Sequence, residues 1–226
     1  MKCKRFTDKE LIIFDLDGTL INSIPDLTLA TNKMLKHYKL PPLTMEEATP
    51  YIGNGAKALV ERALNHTTKE QSVSENLTAE ALEIYFKAYE EAPCNDTFLY
   101  PGVKDTLVYL NKKGYRMVIC TNKPFQFIEP ILECLSIKHF FESWIGADSL
   151  AKQKPEPDPL LYFTKKTKIP VEKTIMIGDS KNDILAARNA NMHSIGFTYG
   201  YNYNENIADY KPTVVANSFS ELKRVF

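Results

Sequence analysis

Four short apolar runs in this chain each stop at a polar side chain that could do chemistry. Leu11-Ile12-Ile13-Phe14 stops at Asp15, with Asp17 two residues further on. Met117-Val118-Ile119-Cys120 stops at Thr121-Asn122, and Ser143-Trp144-Ile145-Gly146-Ala147 stops at Asp148. Thr174-Ile175-Met176-Ile177-Gly178 stops at Asp179, with Asp183 four residues later. Carboxylates gathered in one place repel one another unless a cation sits among them. Hard oxygen donors without histidine or cysteine point to Mg2+, which takes one or two carboxylates together with substrate phosphate. Lys154, immediately before Pro155, is the cation of the set, a compact charge able to grip a phosphate. The expected chemistry is metal-assisted work on a phosphate group.

Such a set needs a scaffold that brings the ends of the runs together. Continuous rather than alternating apolar residues suit strands buried on both faces, as in a parallel sheet. Helical patterns fill the intervals. The stretch 102–114 puts Val103, Leu107 and Leu110 on one face and stops at Gly114, and 125–135 and 184–190 follow in the same way. This alternation predicts an α/β fold with a Rossmann-like parallel-sheet core and right-handed crossovers. In open sheets of this kind ligands bind outside the carboxyl ends of the strands, which is where these polar residues fall. The stretch 24–98 is different, with helical patterns at 26–38, 56–65 and 79–92, no strand, and polar breaks at Pro41-Pro42 and around 67–76. It reads as a helical cap inserted after the first strand. The predicted organisation is a discontinuous core, 1–20 plus 99–226, and a cap at 21–98.

Composition excludes other classes. The 226 residues hold 28 Lys plus Arg and 28 Asp plus Glu, so the formal charge is zero and the pI is near 6.9. That balance offers no basic footprint for nucleic acid and no polybasic pull toward an anionic membrane. Hydrophobic residues at 44% and charged residues at 25% exclude a wholly disordered or fibrous chain. No segment approaches the ~18 apolar residues of a membrane span. The apolar stretch after the charged N-terminus meets Asp15 too soon for a signal-peptide core, so a cytoplasmic protein is expected. Cys3, Cys94, Cys120 and Cys134 show no C-x-x-C and no zinc spacing, and predict neither a disulfide framework nor a zinc module. The sequence leaves monomer and homodimer equally open.

Phe14-Asp15-Leu16-Asp17-Gly18-Thr19-Leu20 resembles the first motif of the haloacid dehalogenase superfamily of phosphohydrolases. Thr121 resembles its second motif, Lys154-Pro155 its third, and Gly178-Asp179-Ser180-Lys181-Asn182-Asp183 its fourth. The four come in the family's order, and the insert is similar to the family's small helical cap, so the resemblance spans nearly the whole chain. It implies that Asp15 attacks phosphorus to give an aspartyl phosphate, splitting one hydrolysis into two in-line displacements. Asp17 would protonate the leaving oxygen and then deprotonate the attacking water. Mg2+ would be held by Asp15, Asp179 and the main-chain carbonyl of Asp17. Thr121, the Asn122 backbone N–H and Lys154 would hold the phosphoryl oxygens. Asp183 would orient either Lys154 or a metal-bound water, and Gly18 would make the tight exit after the first motif.

Within that superfamily, Tyr51-Ile52-Gly53-Asn54-Gly55-Ala56 with Glu61-Arg62-Ala63-Leu64 is similar to the cap segment of the phosphoglycolate phosphatases. Thr121-Asn122-Lys123-Pro124 and Tyr199-Gly200-Tyr201-Asn202 match the same subgroup. The implied substrate is 2-phosphoglycolate. The alternatives are another small phosphate (pyrophosphate or a sugar phosphate) or a β-phosphoglucomutase-like phosphomutase. In this reading the Gly53-Asn54-Gly55 turn and the helix after it offer backbone N–H groups to an anion. The stretch 53–58 formally matches a dinucleotide fingerprint, but no strand precedes it and no βαβ unit follows. Arg62 either adds charge over the cleft or sits in solvent, and Asp148 either assists the site or merely ends a strand. Cys120 reads as a small buried hydrophobe. His37, His66, His139 and His193, without carboxylate partners or metal spacing, read as structural or surface residues.

Overall fold

Alternation along the first strand sets the layers. In a computed structural model, which describes residues 5–69 and 72–226, the strands in chain order are β1 (Leu11–Phe14), β2 (Ile21–Asn22), β3 (Phe98–Leu99) and β4 (Arg116–Cys120), then β5 (Ser143–Ile145), β6 (Thr174–Gly178), β7 (His193–Phe197) and β8 (Val214–Ala216). Every residue of β1 is buried. Ile12 and Phe14 pack with Met117, Ile119, Ile175 and Ile177 in one core, while Leu11 and Ile13 pack with Val118, Cys120 and Met176 in another. The two-residue period thus feeds both faces of one sheet.

That sheet has the order β5-β4-β1-β6-β7-β8 and all its pairs are parallel. The chain builds outward from β1 through β4 and β5 on one side, and then returns to build β6, β7 and β8 on the other. The carboxyl end of β1 is therefore the topological switch point, where such sheets open a crevice. The helices are α1 (Ile24–His37), α2 (Met45–Ala48), α3 (Ala56–Thr68), α4 (Glu75–Glu90) and α5 (Val103–Lys112), followed by α6 (Ile128–Cys134), α7 (Asp158–Thr167), α8 (Lys181–Asn189) and α9 (Leu222–Val225). α5, α6 and α9 cover the Phe14 face through Leu107, Ile131 and Leu222; α7 and α8 cover the Ile13 face through Phe163 and Ala187. The α/β architecture with a parallel core is as expected. Sequence patterning misses α7, β7 and β8: polar residues break the period in α7 and β7, and β8 is too short to show one.

Helices α1 to α4 occupy the chain between β2 and β3, which pair antiparallel (Ile21 opposite Leu99). The insert therefore leaves and re-enters at one point. Asp26, in the first turn of α1, fixes that point by accepting the Thr97 N–H (2.8 Å) and the Thr97 hydroxyl (2.6 Å). α4 starts at Glu75, four residues before its apolar period suggests, because the Ser74 hydroxyl caps the Leu77 N–H at 3.2 Å. Among the described residues, no helix is long and apolar enough to cross a membrane.

The cysteines depart from expectation. Cys94, after α4, and Cys134, at the end of α6, form a disulfide that ties the insert's exit to the core. The two lie 40 residues apart, and only the packing of α6 beside that exit brings them together. Cys120 lies buried in β4, and burial pushes its thiol up to about 12, so it packs as an inert side chain. Cys3 lies outside the described residues.

Candidate active site

Because β1 and β6 run parallel with Phe14 opposite Ile177, the residues that follow them, Asp15 and Asp179, emerge side by side. The Asp15 N–H continues the ladder by donating to the Ile177 carbonyl at 2.9 Å. Asp15 Oδ1 accepts the Leu16 N–H (2.7 Å) and faces Lys154 Nζ at 3.0 Å. The same ammonium donates to Asp183 Oδ1 at 2.6 Å, and the other Asp183 oxygen caps α8 through the Ser180 N–H (3.0 Å) and hydroxyl (2.8 Å). Asp179 accepts the Thr19 hydroxyl and the Tyr201 N–H, both at 2.6 Å. Gly18 stands at φ +86°, and a Cβ there would collide with the Asp179 carboxylate, which is why the exit from the first motif needs glycine.

One carboxylate oxygen from each of Asp15, Asp179 and Asp183 lies within 4.8 Å of the other two, and all three residues are buried. Burial, and then repulsion from Asp183, push Asp15 up to about 7 against the pull of Lys154. Burial and the charges of Asp183 and Asp15 raise Asp179 in the same way. Burial alone would lower the Lys154 ammonium, but Asp15 and Asp183 outweigh it and hold it above the usual lysine range. A single ammonium does not balance three crowded carboxylates, and every donor in the cluster is a hard oxygen. The set fits a hard divalent cation such as Mg2+.

Asp17 follows a separate course. It lies beyond β1 in an isolated bridge with Ile21, and its carboxylate is not one of the three that cluster. Oδ1 accepts the Ser23 hydroxyl at 2.6 Å, and Lys123 Nζ reaches Oδ1 and Oδ2 at 3.1 and 3.2 Å. Lys154 is therefore not the sole cation of the set. Lys123 is a second, buried and lying 4.8 Å from the centre of the Tyr89 ring. Within Thr121-Asn122-Lys123-Pro124 the sequence alone assigns Lys123 no part, since only tertiary contact reveals its partner. Thr121 is buried beside Asp15 on the cavity wall, and its hydroxyl accepts the Lys123 N–H at 3.2 Å.

The Gly53-Asn54-Gly55 turn meets the core directly. The Gly53 carbonyl accepts Asn122 Nδ2 and Asn182 Nδ2, each at 3.2 Å, and Asn122 Nδ2 also donates to the Lys154 carbonyl at 3.0 Å. Asn54 Oδ1 accepts Asn182 Nδ2 (2.7 Å) and the Tyr203 hydroxyl (2.5 Å). Beneath the turn lies a cavity of about 40 Å³; Asp15, Asp17, Gly53, Gly55 and Asn122 line it, and Asn54 does not. Three peripheral residues resolve differently from a sequence-only view. Arg62 is partly buried, donates to the Tyr51 carbonyl at 3.0 Å, and stands 5.7 Å from the Tyr203 ring centre, so it braces the turn. Asp148 is exposed and accepts the Phe125 N–H at 2.8 Å, a loop anchor. His66 does have a carboxylate neighbour, Glu47 at 3.9 Å, and its Nδ1 lies 3.0 Å from the Tyr51 hydroxyl.

Residues 12–197 match the family model for haloacid dehalogenase-like hydrolases, and the chain belongs to that family. It is an enzyme of the phosphoric monoester hydrolase class, like its relatives. A phosphoglycolate phosphatase from Colwellia psychrerythraea is 45% identical over 219 residues, 96% of this chain and 97% of the relative. Phosphoglycolate phosphatase 1 from Pseudomonas aeruginosa is 41% identical over 94% of this chain and 78% of its own length. The crystal structure of a predicted phosphoglycolate phosphatase from Haemophilus somnus superposes with a TM-score of 0.92 at 39% identity, covering 96% of this chain and 98% of that one.

Proposed function

We propose that this phosphatase is Mg2+-dependent and hydrolyses 2-phosphoglycolate to glycolate and phosphate through an aspartyl phosphate on Asp15. The observation that carries the reading is that Asp15 and Asp17 line one small cavity while Asp179, Asp183 and Lys154 stand behind Asp15. Mg2+ held by Asp15, Asp179 and the Asp17 main-chain carbonyl would keep the carboxylates ionised and screen the phosphate's charge from the nucleophile. Both donors to Asp15 reach Oδ1, which leaves Oδ2 as the oxygen that attacks phosphorus. Thr121, the Asn122 N–H and Lys154 hold the phosphoryl oxygens as charge develops on them. Asp17, oriented by Ser23 and Lys123, protonates the departing ester oxygen and later takes the proton of the attacking water. Asp183 orients Lys154, and the Gly53-Asn54-Gly55 turn closes over the leaving group and excludes water.

The substrate assignment draws on the names of the relatives. A small phosphorylated metabolite as partner, without nucleic acid or membrane, belongs to the same reading and is supported by the zero formal charge; a cytoplasmic setting belongs to it too, and monomer and homodimer stay open. The test is steady-state turnover of 2-phosphoglycolate, pyrophosphate and hexose phosphates with Mg2+ and with EDTA. The expected result is the highest kcat/KM on 2-phosphoglycolate and no turnover in EDTA. Preference for pyrophosphate or a hexose phosphate overturns the substrate; activity in excess EDTA overturns the metal.

A further inference from the structure

We infer that Lys123 is the specificity residue that reads the carboxylate of the leaving group, an inference that rests on the 2-phosphoglycolate reading above. Much of the rest of the cavity lining is apolar or aromatic, made by Leu27, Ile52, Leu59, Tyr85, Tyr89 and Phe127. An anionic leaving group placed there without a counter-charge would pay the full cost of a buried charge. Among the described residues lining the cavity, Lys123 alone carries a positive side chain. That side chain is only 2% exposed, fixed between the Asp17 carboxylate and the Tyr89 ring, so its charge is screened little by water.

The spacing supports the assignment. Asp17 must come within roughly 2.7 Å of the ester oxygen to hand it a proton, and Lys123 Nζ stands 3.1 Å from Asp17 Oδ1. A group bonded one carbon from that ester oxygen therefore falls within reach of the ammonium. A carboxylate at that position gains a charged hydrogen bond, whereas a neutral or bulky leaving group gains none. Asp17 occupies only part of the donor capacity of an ammonium, which has three N–H groups.

The experiment compares wild type, Lys123→Met and Lys123→Arg on 2-phosphoglycolate and on 2-hydroxyethyl phosphate, whose alcohol leaving group needs the same protonation by Asp17 but has no carboxylate. Lys123→Met should lower the ratio of the two kcat/KM values by about 10- to 150-fold, the worth of a hydrogen bond to a charged group. Lys123→Arg, which keeps the charge, should recover part of the ratio. A residue that merely positioned Asp17 would lower both activities equally, and that outcome overturns the inference. If Lys123→Met fails to fold, product inhibition of the wild type decides. Glycolate should compete far better than ethylene glycol, and equal competition overturns the inference. A wild type that prefers pyrophosphate or a hexose phosphate removes the underlying substrate reading; a wild type that prefers 2-phosphoglycolate while Lys123→Met keeps the preference removes this inference alone.

Discussion

Stripped of divalent cation, this protein should lose stability as the pH rises through neutrality. Burial and the neighbouring Asp183 push Asp15 up to about 7 in the fold, against an ordinary value of 3.8 in the unfolded chain. Between those values the folded state binds more protons than the unfolded state, so stability falls with pH across the window and levels off above it. For Asp15 alone, the loss from pH 5 to pH 8 is on the order of 2–3 kcal/mol, or roughly 5 °C in Tm for a chain of this length. Asp179, raised by the same causes, acts in the same direction. In the proposed reading a divalent cation would bind only the folded, ionised cluster, so saturating Mg2+ should stabilise far more at pH 8 than at pH 5 and cancel the fall. The assay is thermal melting from pH 5 to pH 8, in EDTA and in excess Mg2+, on wild type and on Asp15→Asn. The asparagine variant lacks the Asp15 contribution and should melt with a shallower pH dependence, which also subtracts the histidines. Equal stability of EDTA-treated wild type at pH 5 and pH 8, or equal Mg2+ stabilisation at both, would refute the reasoning.

Asp17→Asn should slow turnover by roughly 10²–10⁴-fold while far-UV circular dichroism and Mg2+ stabilisation persist; near-normal kcat would move the proton to another group. Reduction of the Cys94–Cys134 disulfide, or Cys134→Ser, frees a loop spanning 40 residues. In the chain-entropy account that costs ~4 kcal/mol, a drop of roughly 8 °C in Tm, and identical melts with and without dithiothreitol would count against the cross-link. Gly55→Val places a β-branched residue at φ +88° with its Cβ 3.3 Å from the Asn122 carbonyl. KM for 2-phosphoglycolate should then rise far more than KM for an aryl phosphate, and equal rises would detach the turn from discrimination.

Legibility in the sequence followed the range of the interaction. Strands β1, β4 and β6 were readable because burial on both faces makes their apolar runs continuous, and the polar residues after them mark the sheet's carboxyl edge. β7 and β8 were not, because His193-Ser194-Ile195-Gly196-Phe197 mixes polar and apolar residues and Val214-Val215-Ala216 is too short to show a period. Within the site, Asp15, Asp179, Asp183 and Lys154 could be gathered from motif order alone. Lys123 could not, since its meaning lies in contact with Asp17 across 106 residues. The disulfide was hidden for the same reason, and so was the brace from Arg62 to the Tyr51 carbonyl.

The contacts around Gly53 connect closure of the insert to assembly of the site. Its carbonyl is gripped by Asn122, next to Thr121 and Lys123, and by Asn182, between Asp179 and Asp183. Two core loops that carry the proposed chemistry are thus the loops that hold the turn down. Asn122 Nδ2 also donates to the Lys154 carbonyl, so the same side chain spans the turn, the end of β4 and the lysine proposed to hold phosphate. Lifting the turn breaks both bonds to the Gly53 carbonyl, while Asn122 keeps its bond to the Lys154 carbonyl and Asn182 its bond to the Tyr203 hydroxyl. In the proposed cycle this admits substrate and releases glycolate, while the closed arrangement keeps water from Asp15 until the leaving group has gone. The selectivity of the insert and the reactivity of the core then have a common physical origin, because the residues that latch the turn also set the loops that hold the phosphate.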